Sequence, residues 1–171
     1  MDTLPPLPGP LPWPVPDPRA HHFVNHYSDM HALVAGLVLP EHAPTHVVSV
    51  LETCRELIRH SYYRYEFTTV AVAYSLFALE RVLAEHLGAK KKTLQQLIEQ
   101  AAATGVITAD LAERLDAGRP LRNRFAHGQL TGSALTPAMA VDMVRVAFDV
   151  TELLFPAPAA VVPGPTDAMQ A

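Results

Sequence analysis

The segment Leu121-Arg122-Asn123-Arg124-Phe125-Ala126-His127-Gly128 gathers the side chains best suited to chemistry in this chain. An imidazole titrates near neutrality and can move the proton of a hydroxyl or of a leaving oxygen. A guanidinium can grip two non-bridging phosphate oxygens as a fork, and an amide can orient either group. Arg122, Asn123 and His127 therefore form a set able to cleave a phosphodiester with no metal and no cofactor, with Arg124 as a supporting cation. On a helix Asn123 and His127 share one face, Leu121 and Phe125 share an adjacent face that can anchor in a core, and the long Arg122 side chain can swing back across its offset of five positions. Gly128 suits the left-handed position that ends a helix, which places His127 in the last turn, at the negative end of the helix dipole. Such cleavage needs a base and an acid, and the segment offers one histidine. Two copies meeting across a two-fold axis would supply both.

Other residues bear on the same chemistry. Between Gly88 and Gly128 seven basic residues (Lys90, Lys91, Lys92, Arg114, Arg119, Arg122, Arg124) face four acidic ones (Glu99, Asp110, Glu113, Asp116), so this stretch carries +3 and the rest of the chain -7. Lys90, Lys91, Lys92 and Arg119 are thus the candidate RNA contacts. The overall charge of -4 argues against a protein that coats nucleic acid through charge alone. Glu80, the first charge after an uncharged run, can pair with Arg122 and fix the guanidinium, pair with Arg81, or face solvent. Tyr62, Tyr63, Arg64 and Tyr65 interleave aromatics with a base and can stack on unpaired nucleotides, or pack into a helical core and its rim. His21, His22, His26 and His31 form a histidine-rich stretch, and His22 with His26, like His42 with His46, has the i, i+4 spacing of a helical metal site. No Cys or HExxH pattern accompanies them, and no metal is assigned. There is no nucleophile elbow, phosphate-cradling glycine loop or dinucleotide fingerprint.

The elements that must carry these residues follow from prolines and periodicity. Of 16 prolines, eight fall in the first 18 positions and four between Pro156 and Pro165. Each removes a backbone donor and holds its predecessor extended, so residues 1–20 read as a polyproline-like arm and 156–171 as a proline-rich tail. The arm is read as passive, or as a ligand for a proline-recognition domain with Trp13 as anchor. The 135 residues between, 21–155, make one ordinary domain. Hydrophobic residues at 49% and a mean hydropathy of +0.12 supply a sizeable core. Apolar positions Val47, Val50, Leu51, Cys54, Leu57 and Ile58 mark a first helix opened by Pro44 and Thr45. A second is predicted from near Ser61 to about Leu87, apolar on almost all sides from Phe67 to Leu79 and therefore central. Thr93 caps a third, with Leu94, Leu97, Ile98 and Ala101 inward, ending at Gly105. Thr108 opens a fourth that Pro120 interrupts. Thr136 and Pro137 start the last, which turns Ala140, Met143, Val144, Ala147, Val150 and Leu154 inward as far as Pro156. No strand alternation or hairpin turn is present, so an all-α, up-and-down bundle of four to five helices is expected. The uncharged run falls short of the ~20 residues of a membrane span, Cys54 has no disulfide partner, and the N-terminus lacks a basic head before an apolar stretch. A cytoplasmic protein with no membrane contact is the expectation.

The Arg122-Asn123-(three residues)-His127 segment, on the penultimate helix of a bundle this size, resembles the HEPN superfamily. The signature of that superfamily is an Arg separated from a His by four to six residues, often with a polar residue after the Arg. The resemblance covers about Thr45 to Phe155. It implies a HEPN-like bundle that forms a homodimer with the two motifs facing, and a metal-independent endoribonuclease leaving 2',3'-cyclic phosphate ends. Active members are common in toxin-antitoxin and antiviral systems, which implies RNA as substrate and an antitoxin or other protein as partner. Other members are catalytically silent and bind a partner protein or nucleic acid.

Overall fold

The computed structural model describes residues 12–89, 91–127 and 135–157. Among them every regular element is helical: a 3-10 turn at Ala20–His22, then α1 (Tyr27–Val34), α2 (Thr45–His60), α3 (Phe67–His86), α4 (Leu94–Ala103), α5 (Ala109–Ala126) and α6 (Pro137–Leu154). This is the expected all-α bundle. α1 is the addition: it buries only Met30 and Val34, too few positions to announce a periodic stripe.

The helix ends obey local chemistry. Thr93 accepts from the Gln96 N–H at 3.4 Å while its own N–H donates to Gln96 Oε1 at 3.1 Å, a capping box. Thr108 and Thr136 accept from the N–H groups of Leu111 and Met139. Gly88 and Gly105, at φ +63° and +72°, take the left-handed position past α3 and α4. There Ala89 N–H bonds to Ala84 O and Val106 N–H to Ala101 O, which satisfies carbonyls the helix end would orphan.

Two boundaries differ from expectation. α3 begins at Phe67 rather than Ser61, because residues 61–66 form a turn in which Ser61 closes α2 through Leu57 O and Ile58 O. Pro120 does not interrupt α5. It is exposed, so the Asp116 carbonyl that loses its i+4 donor lies on the solvent side, where water can replace the missing bond.

α3 is the axis of the bundle, packed against α2, α4, α5 and α6. Its Val72, Leu76, Leu79 and Leu83 meet Leu51, Cys54 and Ile58 of α2, Leu97 of α4, Leu115 of α5 and Val144 and Val150 of α6 in one buried cluster. Such side chains contribute roughly 1.5–3 kcal/mol each on full burial. Burial pushes the Cys54 thiol up to about 12, so it stays neutral and unreactive. Whole, α3 is the one described helix long and apolar enough to cross a membrane, although its uncharged run is shorter. Its most apolar window is 56% buried by its neighbours, as in a core helix.

The base of the N-terminal arm is tied down. Asp17 N–H donates to Tyr62 O at 2.8 Å, and the Asp17 carboxylate accepts from Arg19 N–H, Nε and Nη2 and from Tyr65 N–H. Arg19 also reaches Glu66 at 2.7 Å and lies over the Tyr65 ring. Trp13 and Val15, further along the arm, are exposed. The Arg19 guanidinium holds the Asp17 carboxyl far below the usual carboxylate range, outweighing its desolvation. Its stabilisation is therefore full above the unfolded-state value of about 4 and is lost as pH falls below it. Thermal melts from pH 5 to pH 2 should show Asp17→Asn less stable than wild type at pH 5, with the gap narrowing steadily below about pH 4.

Candidate active site

α5 carries the motif, and a missing side chain sets where it lies. A Cβ on Gly118 would sit 3.2 Å from Leu76 Cδ1, tighter than an ordinary contact, so the absent side chain lets α5 lie close against α3 there. One turn further along both helices, Glu80 accepts a hydrogen bond from Arg122 Nη2 in an ion pair. Leu76 with Gly118 and Glu80 with Arg122 are matched steps of four, so α3 and α5 run in the same direction with α4 as the return segment. Of the three roles open to Glu80, the structure shows the pairing with Arg122. Arg81 pairs instead with Glu85.

The Arg122 guanidinium is fixed on three sides. Glu80 takes one Nη, Asn123 Oδ1 accepts from the other at 3.3 Å, and the Phe77 ring lies 4.7 Å from its carbon. Side-chain exposures of 22% for Arg122 and 24% for Glu80 leave one edge of the pair open. The Arg122 Nε is buried with no hydrogen-bond partner among the described residues.

That edge faces a cleft of about 310 Å3 lined by Glu80, Thr93, Leu94, Gln95, Arg119, Arg122 and Asn123. Arg119, one turn before Arg122, donates to Asp116 at 2.7 Å and also lines it. His127 lies one residue past α5, its N–H bonded to Asn123 O at 3.1 Å. It is exposed and is not among the residues lining the cleft, so a single chain brings Arg122, Asn123, Glu80 and Arg119 together but not His127. The Phe125 side chain, Gly128 and Lys90 lie outside the described residues. Lys91 is exposed, Lys92 donates to Gln100 at 2.7 Å, and Arg124 is exposed away from the cleft.

Sequence reasoning missed Phe77 and the α4 residues of the cleft. Phe77 stands one turn before Glu80 on the same face of α3, a spacing that was open to reading. Thr93 and Gln95 join only through the packing of α4 on α5. Other candidates resolve as structure. Tyr62 and Tyr65 are 6% and 5% exposed in the 61–66 turn, and Tyr63 packs against Tyr62 and Tyr27, so these rings do not form a stacking surface on a helix start. Neither i, i+4 histidine pair lies on one helix: His22 and His26 flank the approach to α1, and His42 precedes α2 while His46 is inside it. Among the described residues no group of three or more His, Cys, Asp or Glu side chains is placed to hold a metal ion. A second cleft, of about 250 Å3, lies between Val38–His42 and the end of α6 and holds none of the motif residues.

A family model described as a domain of unknown function, DUF4145, matches residues 47–165. The chain belongs to that family. No curated protein and no solved structure matches it. The DUF4145 match begins inside α2 and includes α3, α5 and the whole Arg122 cleft, leaving α1 and the N-terminal arm outside.

The pairing is testable by stability. Removing either partner strands the other in a half-buried place, so Glu80→Ala and Arg122→Ala should each cost about 1–2 kcal/mol in urea unfolding. Solvent screening holds their coupling in a double-mutant cycle to about 1 kcal/mol. Gly118→Val should cost about 1–3 kcal/mol by forcing side-chain atoms against Leu76. In that background the Glu80–Arg122 coupling should fall toward zero, because α5 no longer seats against α3.

Proposed function

We propose that this DUF4145 protein is a metal-independent endoribonuclease of HEPN type that works as a homodimer. The observation that carries the reading is the seating of Arg122: a guanidinium held by a carboxylate, an aromatic ring and an amide, with one edge open to a cleft, five residues before an exposed histidine. A fixed cation presented to solvent on that scale suits a non-bridging phosphate oxygen, and a positioned donor there stabilises the charge that builds in the transition state. In the cleavage step the 2'-hydroxyl oxygen attacks the adjacent phosphorus as one His127 takes its proton. The P–O5' bond breaks, and the partner copy's histidine protonates the leaving oxygen. The products are a 2',3'-cyclic phosphate and a 5'-hydroxyl. Arg122 holds the phosphate and Asn123 orients it.

The dimer is supported by α3. Val70, Tyr74, Phe77 and Ala78 lie at helical spacing on a strip that the other helices leave partly open, with Tyr74 39% exposed. Phe77 joins that strip to Arg122. A second copy seated there would cover apolar surface and bring two motifs together. A place in a toxin-antitoxin or antiviral system belongs to the same reading and rests on the resemblance alone.

A second reading, a catalytically silent dimeric module that binds a partner protein or nucleic acid, is favoured by charge. Glu80 and Asp116 already neutralise Arg122 and Arg119, Asp149 pairs with Arg114, and the chain carries -4. Labelled RNA incubated with the protein in EDTA separates the two. The nuclease reading expects cyclic-phosphate ends, and His127→Ala should slow their formation by about 10²- to 10⁴-fold. Equal cleavage by that variant sinks it. Tight binding that survives His127→Ala without any turnover supports the silent module.

A further inference from the structure

We infer that the cleft beside Arg122 is a nucleobase subsite that selects guanine next to the phosphate to be cut; its place beside the cut rests on the nuclease reading above. The cleft volume of about 310 Å3 sits at the bottom of the range of small-ligand sites, roughly 300–1,000 Å3, which admits one nucleoside and not two. Its floor is apolar, since Leu94 lines it and is itself buried. Its walls are polar in a pattern that distinguishes bases.

Arg119 spends its Nε on Asp116 and keeps its two Nη groups as donors. Glu80 spends Oε2 on Arg122 and keeps Oε1 as an acceptor. A guanidinium and a carboxylate oxygen lining one cleft match guanine, whose O6 and N7 are adjacent acceptors and whose N1–H and N2 amino group are donors on the adjoining edge. Adenine would set its N6 amino group against the Arg119 donors, and cytosine its N4 amino group. Uracil offers one acceptor where guanine offers two. At the rim, the Thr93 hydroxyl accepts from Gln96 N–H and can donate outward, and Gln95 spends its amide nitrogen on Glu99 and keeps its carbonyl oxygen. Both suit ribose hydroxyls. Arg122, on the same wall as Arg119, then meets the phosphate attached to that nucleoside. The base site and the phosphate site are consecutive turns of one helix, so recognition and positioning share the rigidity of α5.

Two measurements test this. In the first, the protein digests an RNA pool containing all sixteen dinucleotide contexts and the cyclic-phosphate ends are mapped. Guanine should be enriched about tenfold on one side of the cut, the discrimination of one good bidentate base contact, and Arg119→Ala should bring that ratio close to one whatever its effect on total rate. In the second, guanosine 3'-monophosphate and adenosine 3'-monophosphate are titrated into His127→Ala and followed by amide shifts of residues 93–96 and 118–123. The guanosine nucleotide should bind about tenfold more tightly. Cyclic-phosphate ends with no base preference, or with preference for another base, overturn the inference and leave the nuclease reading standing. Equal affinity for the two nucleotides likewise overturns it. Selective guanosine binding with no cleavage of any RNA overturns the nuclease reading and leaves the base site in place.

Discussion

The site depends on how closely α5 can lie against α3. Gly118 has no side chain to press on α3, and Leu76 packs against the space left open. Everything chemical is one turn further on. An ion pair reaches across helices only when their axes and rotation are both right, since a shift of a single residue turns a side chain through about 100°. Glu80 meets Arg122 because Leu76 meets Gly118. The apolar contact fixes the register and the polar contact exploits it, so the order of dependence runs from packing to charge. Pro120, between Gly118 and Arg122, fits the same logic. It faces solvent, so the hydrogen bond it deletes is lost where water can compensate, and the buried face of the helix continues unbroken to the motif.

Charge in this molecule is arranged for position more than for attraction. The positive stretch between Gly88 and Gly128 would, fully exposed, form a broad basic patch. In the folded chain much of it is spoken for: Arg114, Arg119 and Arg122 each face a carboxylate, and Lys92 bonds to Gln100. Long-range steering of a polyanion is correspondingly weak. In exchange, the guanidinium of Arg122 is held in one place by partners on three sides, and little rotamer freedom remains to be lost when a ligand arrives. A surface built this way suits short-range discrimination of one nucleotide better than salt-dependent coating of a strand.

The helical architecture was legible in the sequence because its signals are local. The stripes of α2, α4 and α6 follow the 3.6-residue period, and Thr93, Thr108 and Thr136 announce their caps by residue type alone. The start of α3 was not legible. The 61–66 turn is stabilised by Asp17, forty-five positions from Tyr62, and no window of sequence contains both. The continuity of α5 through Pro120 was hidden for a related reason: proline's cost depends on whether the freed carbonyl is wet, which is a property of the packed bundle. Within the site, Arg122, Asn123 and His127 were visible as a motif, and Glu80 as one of three alternatives. The cleft was not, because Thr93, Leu94 and Gln95 enter it only through the packing of α4 on α5.

The separation of His127 from the Arg122 cleft bears on stoichiometry. A phosphate held by Arg122 alone has a clamp and no imidazole within the same chain's cleft, since His127 stands beyond the end of α5 and does not line it. In the proposed dimer that arrangement is a requirement and not a defect. Two clamps and two imidazoles around a two-fold axis place a base and an acid on opposite sides of one phosphorus, which in-line transfer demands and a single histidine cannot satisfy in one step. The partly open strip of α3 that runs from Val70 through Phe77 ends at Arg122 itself. The same helix that fixes Arg122 from behind thus offers the surface on which a second copy would complete the site, so association and assembly of the chemistry become one event.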